Sequence, residues 1–321
     1  WPLAGGACRA GNIYNLLQRV LYRMVEQGQL EYAQIPVISL NLMGEEKHTG
    51  FRITPSLLSG GIAAGCYGDL IMCLYQQVKP YEQNPGETDR IRSQVEKKLC
   101  ESIRRHRNGR HTREKNYRYA CEVFSKVPVK PGKKKRVGIT GEIYMKYSKL
   151  GNDDIESFLL RQGMEPYSGG FVNYCLYLVD TERYKAEKYQ HNPVMAKACA
   201  FVLHRLCEAQ KHLLTVIGET DRFQTDLPFP ELKEKVQGIL VEGCNTGDGW
   251  LIAAEVIQYV EKGCGSVLIL HPFGCLVSHV CERGILQRLH ARFPDVSIQT
   301  IEYDYDQSKT LRESRILLAI S

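Results

Sequence analysis

The run Val267-Leu-Ile-Leu-His-Pro-Phe-Gly-Cys-Leu-Val-Ser-His-Val280 decides the fold class of this chain. Its first four apolar residues predict a strand that is buried on both faces, as in a parallel sheet. Pro272 and Gly274 end the strand, and a helical pattern begins at Val280. Cys275 is therefore expected at the carboxyl end of a parallel strand, where open α/β sheets build their sites. We expect the helix amino end to favour the thiolate form, which binds metals. The alternative is an ordinary buried cysteine.

Strands and helices alternate over the second half of the chain. Strands are predicted over 137–140, 267–270 and 296–301, and helices over 153–162, 193–217, 250–260, 280–289 and 308–318. Upstream, the patterns predict helices over 11–28, 56–78 and 87–107 and a strand over 35–40. This alternation predicts an α/β fold with mostly parallel sheets. We expect residues 1–129 to hold part of a first α/β lobe and a helical segment, 130–136 to be a basic linker, and 137–321 to form a second α/β lobe.

Composition indicates a globular chain in a reducing compartment. Of the 321 residues, 43% are hydrophobic and 24% charged, and glycines and Asp69 interrupt the longest apolar run, 53–75. That run is expected to be a buried helix, so we predict no membrane association. Several of the 12 cysteines lie in helical patterns and none forms a Cys-x2-Cys pair, so the sequence favours the cytoplasm over a disulfide scaffold or a zinc ribbon.

The formal charge of +6 is concentrated in two basic stretches, 104–118 and 130–136. We expect the first stretch to be exposed and partly helical. Such a stretch is either a solvated surface or a docking surface for an acidic or phosphate-bearing partner. A nucleic-acid partner is not expected, because the nearby aromatic residues show no RNA-binding strand pattern.

Polar side chains follow three of the predicted strands. They are Glu142 with Tyr144, Cys275 with His279, and Asp304 with Asp306. In a doubly wound sheet such strand ends can converge on one crevice. Each also has a structural explanation, because Glu142 and Asp306 can cap helices and His279 can be a hydrogen-bonded core histidine.

Two further cysteines lie in glycine-rich loops that precede helices. Cys8 lies in the loop 5–11, and Cys244 lies in the loop 243–250, which matches neither a P-loop nor a dinucleotide fingerprint. Cys8 repeats the arrangement of Cys275, so we predict that these two thiols approach each other across a cleft between domains. That arrangement favours an iron–sulfur cluster, with Cys244 as a less certain ligand.

Several motifs, in order along nearly the whole chain, resemble one family. They are Gly6-Ala-Cys-Arg-Ala10, Pro36-Val-Ile-Ser-Leu-Asn41, Gly50-Phe-Arg-Ile-Thr54, Tyr67-Gly-Asp-Leu70, Pro80-Tyr-Glu82, Gly138-Ile-Thr-Gly-Glu-Ile-Tyr144 with Asn152, Gly247-Asp-Gly-Trp250, Pro272-Phe-Gly-Cys-Leu276 with His279, and Asp304-Tyr-Asp306. The chain resembles the C-terminal part of the large acyl-CoA dehydratase activase-related proteins. These belong to the superfamily of 2-hydroxyacyl-CoA dehydratases and double-cubane-cluster proteins. Val277 departs from the family pattern, which has proline there.

The resemblance implies two flavodoxin-like lobes with an iron–sulfur cluster, of the 4Fe–4S or double-cubane type, between them. It implies Cys8 and Cys275 as cluster ligands and leaves Cys244 open. It also implies an ATP-hydrolysing activator module, upstream or separate, that supplies low-potential electrons. The resemblance does not identify the substrate, for which an acyl-CoA or another small molecule is the expectation. The chain would then act within a larger protein or an oligomer. Two alternatives remain, a non-catalytic scaffold with structural cysteines and a metal-free α/β domain that binds a small molecule.

Overall fold

The computed structural model describes residues 11–31 and 54–321, and the chain divides into two units, 1–54 and 55–321. The described part of the first unit contains one helix, α1 (Gly11–Glu26), where the apolar stripe over 11–28 predicts it. The predicted strand 35–40 and Cys8 lie outside the described residues. The predicted approach of Cys8 to Cys275 is therefore still a prediction.

The second unit is built on a four-stranded parallel sheet, which confirms the predicted α/β class. Its strands are β1 (Arg136–Gly141), β2 (Glu165–Tyr167), β3 (Ser266–Pro272) and β4 (Ser297–Tyr303), in the order β2-β1-β3-β4. This is the order of the first four strands of a flavodoxin-like sheet. The chain adds β2 on one side of β1 and then returns to add β3 on the other side. The topological switch point, where such sheets bind ligands, therefore lies between the carboxyl ends of β1 and β3.

Eleven α-helices of the described residues belong to this unit. They are α2 (Pro55–Val78), α3 (Glu87–Arg104), α4 (Arg110–Ser125), α5 (Ile143–Tyr147), α6 (Ile155–Arg161), α7 (Phe171–Lys188), α8 (Pro193–Gly218), α9 (Phe229–Glu234), α10 (Gly249–Glu261), α11 (Arg283–Arg292) and α12 (Lys309–Ile320). A 3₁₀ turn, Lys79–Tyr81, follows α2, and a π-helical turn, Ser278–Glu282, precedes α11.

The sheet separates two hydrophobic cores. Val267 and Ile269 of β3 face the larger core, which includes α10 and the helices α2, α4, α7 and α8. Leu268 and Leu270 face the smaller core with α6 and α12. The alternation along β3 is that of a strand covered on both faces. Gly138 of β1 faces α10, where a Cβ atom would lie 2.8 Å from the Tyr259 ring.

Helix α2 runs without a break through Gly60-Gly61, where the sequence allowed one. The segment Ser56–Tyr81 is long and apolar enough to cross a membrane by length and composition alone. Its residues Ala63, Leu70 and Leu74 are fully buried in the larger core. Leu57 and Leu58 are exposed, so the helix is buried only in part, whereas the sequence predicts a helix that is buried throughout.

The stretch 130–136, predicted to be a linker, runs within the second unit, which includes residues 55–129 as well as 137–321. The Lys130 amide donates to the Tyr81 carbonyl at 2.8 Å, and Glu82 and Val129 form an antiparallel bridge. Between 54 and 129 the described residues form helices and their connections, and they contain no strand beyond the Glu82–Val129 bridge. A first α/β lobe remains a prediction that depends on residues outside those described.

Candidate functional site

Glu142 and Cys275 lie at the switch point, directly after β1 and after the turn that ends β3. The Glu142 carboxylate caps α5, since it accepts hydrogen bonds from the amides of Tyr144 and Met145, each at 3.0 Å. Gly274 has φ +68°, a left-handed conformation that suits glycine and turns the chain to present Cys275. Gly141 of β1 pairs in register with Leu270 of β3, and the Glu142 amide donates to the Leu270 carbonyl at 2.8 Å, so these two strand ends lie side by side.

Three cysteines lie on the loops that meet at this corner. Cys244 lies in the loop before α10, and Cys281 lies in the π-helical turn that follows Cys275. Burial raises the pKa of the Cys281 thiol, and the nearby Cys244, Glu282 and Cys275 raise it further. The loops pack directly on each other, because a Cβ atom on Gly247 would lie 2.8 Å from the Val277 side chain. All three cysteines are half-buried.

Carboxyl groups surround these thiols. Burial raises the pKa of Asp248 well above its usual value, and the neighbouring Glu142, Glu282 and Glu255 add to this. Burial also raises the pKa of Glu282 to about 8. Glu282 is fully buried, and neither of its carboxyl oxygens makes a well-formed hydrogen bond within the described part of the chain. The nearby hydroxyl of Ser278 lowers this pKa but has no well-formed hydrogen bond either.

The predicted thiolate preference of Cys275 is wrong for the protein without metal. Burial raises the pKa of the Cys275 thiol, and the charges of Glu282 and Glu142 raise it further, while the nearby hydroxyl and backbone of Ser278 lower it. Loss of solvation and nearby negative charge therefore outweigh the helix end. A metal cation reverses this balance, because a coordinating thiol is deprotonated.

A buried ion pair anchors the floor of the site. The Lys146 ammonium of α5 lies 2.7 and 2.9 Å from the two carboxylate oxygens of Glu255 on α10. The hydroxyl of Thr140 on β1 donates to the same carboxylate at 2.5 Å. A small cavity beside this pair is also lined by Gly141 and Asp248. These bonds fix α5 and α10 to the end of β1.

The third predicted strand end is arranged differently. Asp304 and Asp306 form a local turn, in which the Asp306 amide donates to the Asp304 carboxylate at 3.3 Å. Ser308, rather than Asp306, caps α12 through the Leu311 amide. The His279 Nδ1–H donates to the Cys275 carbonyl at 2.7 Å, and Nε2 faces Glu302 at 3.4 Å. His279 therefore turns away from the thiols and toward β4.

Apolar side chains flank the Cys275 loop on the outside. Phe273, Leu276 and Val280 are 65%, 66% and 62% exposed. A cluster of exposed apolar side chains next to a polar site is typical of a contact surface.

Sequence reasoning missed Cys281, Glu282 and Asp248. The pattern from Val280 onward predicts an ordinary helix that includes Cys281, but residues 278–282 form a π-helical turn. π-Helical turns are frequent at functional sites and have no simple periodicity to detect. The six-residue spacing between Cys275 and Cys281 is the only feature of the sequence that indicates Cys281 as a site residue.

Comparison with protein-family models, curated proteins and solved structures finds no match to this chain.

Proposed function

We propose that this chain is an iron–sulfur redox protein of the 2-hydroxyacyl-CoA dehydratase type. Thiolates of Cys275, Cys244 and Cys281 would hold the cluster at the carboxyl ends of β1 and β3. Cys8 remains a ligand proposed from the resemblance alone. The observation that carries the proposal is that three half-buried cysteines lie on two loops that pack against each other at the switch point of the sheet.

The residues at this corner fit such a cofactor. Iron–sulfur clusters are held by cysteine thiolates, and three thiols would leave one iron of a cubane open to another ligand. Buried polar atoms usually have partners, yet the Glu282 carboxyl oxygens and the Asn245 amide nitrogen have no well-formed hydrogen bond among the described residues. A bound group or ordered water in this corner would satisfy them.

When bound, the cluster would supply the one-electron chemistry that makes the β-proton of an acyl-CoA acidic enough to remove. The chain's own residues would position the substrate and move protons. Asp248 is buried among other carboxyl groups, which favour its protonated form, so it can hold a proton beside the thiols. The Lys146–Glu255 pair would keep α5 and α10 fixed during substrate binding and proton transfer.

The activator in this proposal follows from the resemblance, and the compartment follows from the cysteine content. Low-potential electrons would come from an ATP-hydrolysing activator with its own cluster, and ATP would bind only to that module. The substrate would be an acyl-CoA or another small molecule, the compartment the cytoplasm, and the working form a larger protein or an oligomer.

Anaerobic reconstitution with iron and sulfide tests the proposal. We expect brown protein with iron and sulfide in comparable amounts. Cys275→Ala or Cys281→Ala should lower the iron content and alter the EPR signal of the reduced protein, because each removes a ligand. Cys264→Ala is the matched control, since Cys264 is 2% exposed in the larger core at the amino end of β3. It should cost packing stability and leave the iron content unchanged.

Two results would count against the proposal. A folded Cys275→Ala protein with full iron content and an unchanged EPR signal would show that this cysteine is not a ligand. Protein that takes up zinc at this corner and no iron would favour the scaffold with structural cysteines, because three thiolates also suit zinc. Cys199→Ala is a second control, on a half-buried position of α8 whose neighbours Ala198 and Ala200 are exposed.

A further inference from the structure

His271 is a buried histidine without a hydrogen-bond partner. It lies in β3 and is fully buried, and neither ring nitrogen has a partner in the described part of the chain. An imidazole buried in this way loses its hydrogen bonds to water and gains nothing in return. Such a group in a folded protein calls for a missing partner, such as an ion or a water molecule.

The sheet places a carboxylate beside this imidazole. His271 of β3 pairs in register with Glu302 of the parallel strand β4. Paired residues on neighbouring strands have their side chains on the same face of the sheet. That face is the one on which Val267 and Ile269 contact the larger core, because side chains alternate along β3.

The turn after β3 adds a second imidazole. The ligand atoms of His271, His279 and Glu302 all lie within 4.8 Å of one another, and the two rings meet edge to face with their centroids 5.3 Å apart. The His279 Nε2 atom is 3.4 Å from a carboxylate oxygen of Glu302. Two ligands bound to one zinc ion at 2.0–2.1 Å in tetrahedral geometry are about 3.3 Å apart.

We propose that His271, His279 and Glu302 form a site for a divalent transition-metal ion, distinct from the cysteine corner. Two imidazoles and one carboxylate are a ligand set of zinc and of non-haem iron(II), and both leave coordination positions open for water or substrate. The two sites are linked through one residue, because the His279 Nδ1–H donates to the backbone carbonyl of Cys275. A backbone acceptor of this kind fixes the ring and leaves Nε2 free to bind the metal.

An ion pair with Arg283 explains only part of this arrangement. The Arg283 guanidinium lies 2.9 Å from the Glu302 carboxylate oxygen that faces His279. This contact balances the negative charge of the Glu302 carboxylate, but it gives the His271 ring no hydrogen-bond partner. The Arg283 side chain is 46% exposed, so it can move into solvent when a cation binds.

Cobalt(II) titration of the reduced, chelator-treated full chain tests the site, because the absorption spectrum reports the ligands. We expect one equivalent of cobalt(II) to bind without a thiolate-to-cobalt charge-transfer band. This equivalent should remain in a variant with Cys244, Cys275 and Cys281 all changed to serine, and zinc should displace it. His271→Asn should lower its affinity at least about tenfold, since loss of even an outer-shell partner costs 10–100-fold.

The control is His290→Asn on α11, since the His290 Nε2–H already donates to the Ile298 carbonyl at 2.9 Å. It should bind cobalt(II) as the unchanged protein does. If His271→Asn fails to fold by circular dichroism, Glu302→Gln replaces it and should show the same loss. The proposal is overturned if the folded variant binds as tightly as before, or if all bound cobalt(II) shows thiolate ligation and is lost in the serine variant. Either result leaves the iron–sulfur proposal intact.

Discussion

Lys146 and Glu255 are each 3% exposed, so their ion pair lies out of water beneath the candidate site. Removing two charges from water costs several kcal/mol per ion, and close contact and hydrogen bonds offset most of this. The hydroxyl of Thr140 supplies one of those bonds. The pair therefore contributes less to net stability than to holding α5, α10 and β1 in one arrangement.

Replacing Lys146 with methionine should destabilise the protein strongly. The change leaves the Glu255 charge buried without a partner, so we expect the free energy of unfolding to fall by about 3–5 kcal/mol. Adding Glu255→Gln removes the unpaired charge and should recover most of the loss. Urea unfolding at pH 7 measures both variants.

Lys149→Met is the control for this experiment, because Lys149 is 59% exposed and pairs with Asp154 at the surface. It should cost at most about 1 kcal/mol. A double variant as unstable as Lys146→Met alone would mean that lost packing, rather than unpaired charge, governs this position.

At the scale of elements, a side chain of α2 caps the start of α7. The Asp69 carboxylate accepts hydrogen bonds from the amides of Phe171 and Val172 at 2.7 and 3.0 Å. The α7 N-cap residue is Gly170, where a Cβ atom would lie 2.3 Å from an Asp69 oxygen. Burial raises the pKa of Asp69 to about 7, and the nearby Asp226 adds to this, although the two amides and Lys146 lower it.

This raised pKa predicts a specific pH dependence of stability. An aspartate whose pKa rises from 3.8 to about 7 on folding binds more protons in the folded state between those values. Its contribution to the free energy of unfolding therefore falls as the pH rises from about 4 to 7, by up to about 4 kcal/mol. Asp69→Asn is neutral throughout and should remove this slope, although the lost carboxylate oxygen lowers stability at every pH.

Denaturant unfolding at several pH values between 4 and 8 measures the slope. The exposed Asp221→Asn is the control and should keep the slope of the unchanged protein. Equal slopes for Asp69→Asn and the unchanged protein would mean that the amides of α7 hold the Asp69 carboxylate ionised across this range.

At the scale of the whole molecule, the excess positive charge is distributed unevenly along the chain. The basic stretch 104–118 covers the end of α3, a loop and the first half of α4, which agrees with the predicted exposed and partly helical surface. Arg105 and Arg118 make ion pairs with glutamates. Arg107, Arg110 and Lys115 are exposed and have no ion pair among the described residues. Unpaired cations on one surface attract phosphate groups.

Coenzyme A is a suitable probe for this surface, because it carries several phosphate charges. If the surface docks such a ligand, the affinity measured by calorimetry should fall as the salt concentration rises. Changing Arg107, Arg110 and Lys115 together to glutamate should weaken binding further. Changing Lys188, Lys197 and Lys211, exposed residues of α7 and α8, to glutamate is the control of equal charge. If coenzyme A does not bind, or if its affinity does not change with salt concentration, the stretch 104–118 is a solvated surface and not a docking surface.

The sequence by itself determined the class of fold and most of its elements. The apolar run before Pro272 predicts β3, and proline and asparagine at its start mark α8. These signals are local, because the period of the apolar residues and the end-capping residues lie within each element. α7 was not predicted, since aromatic and charged side chains obscure its apolar stripe, and β2 has only three residues.

Only the tertiary structure decided which residues share a site. The sequence placed Glu142 and Cys275 at strand ends, and the sheet order brought those ends together. Neither the packing of the Cys244 loop against Val277 nor the register that pairs His271 with Glu302 follows from local pattern. Both depend on contacts between segments that are distant in the chain, which form only when the two cores close around the sheet.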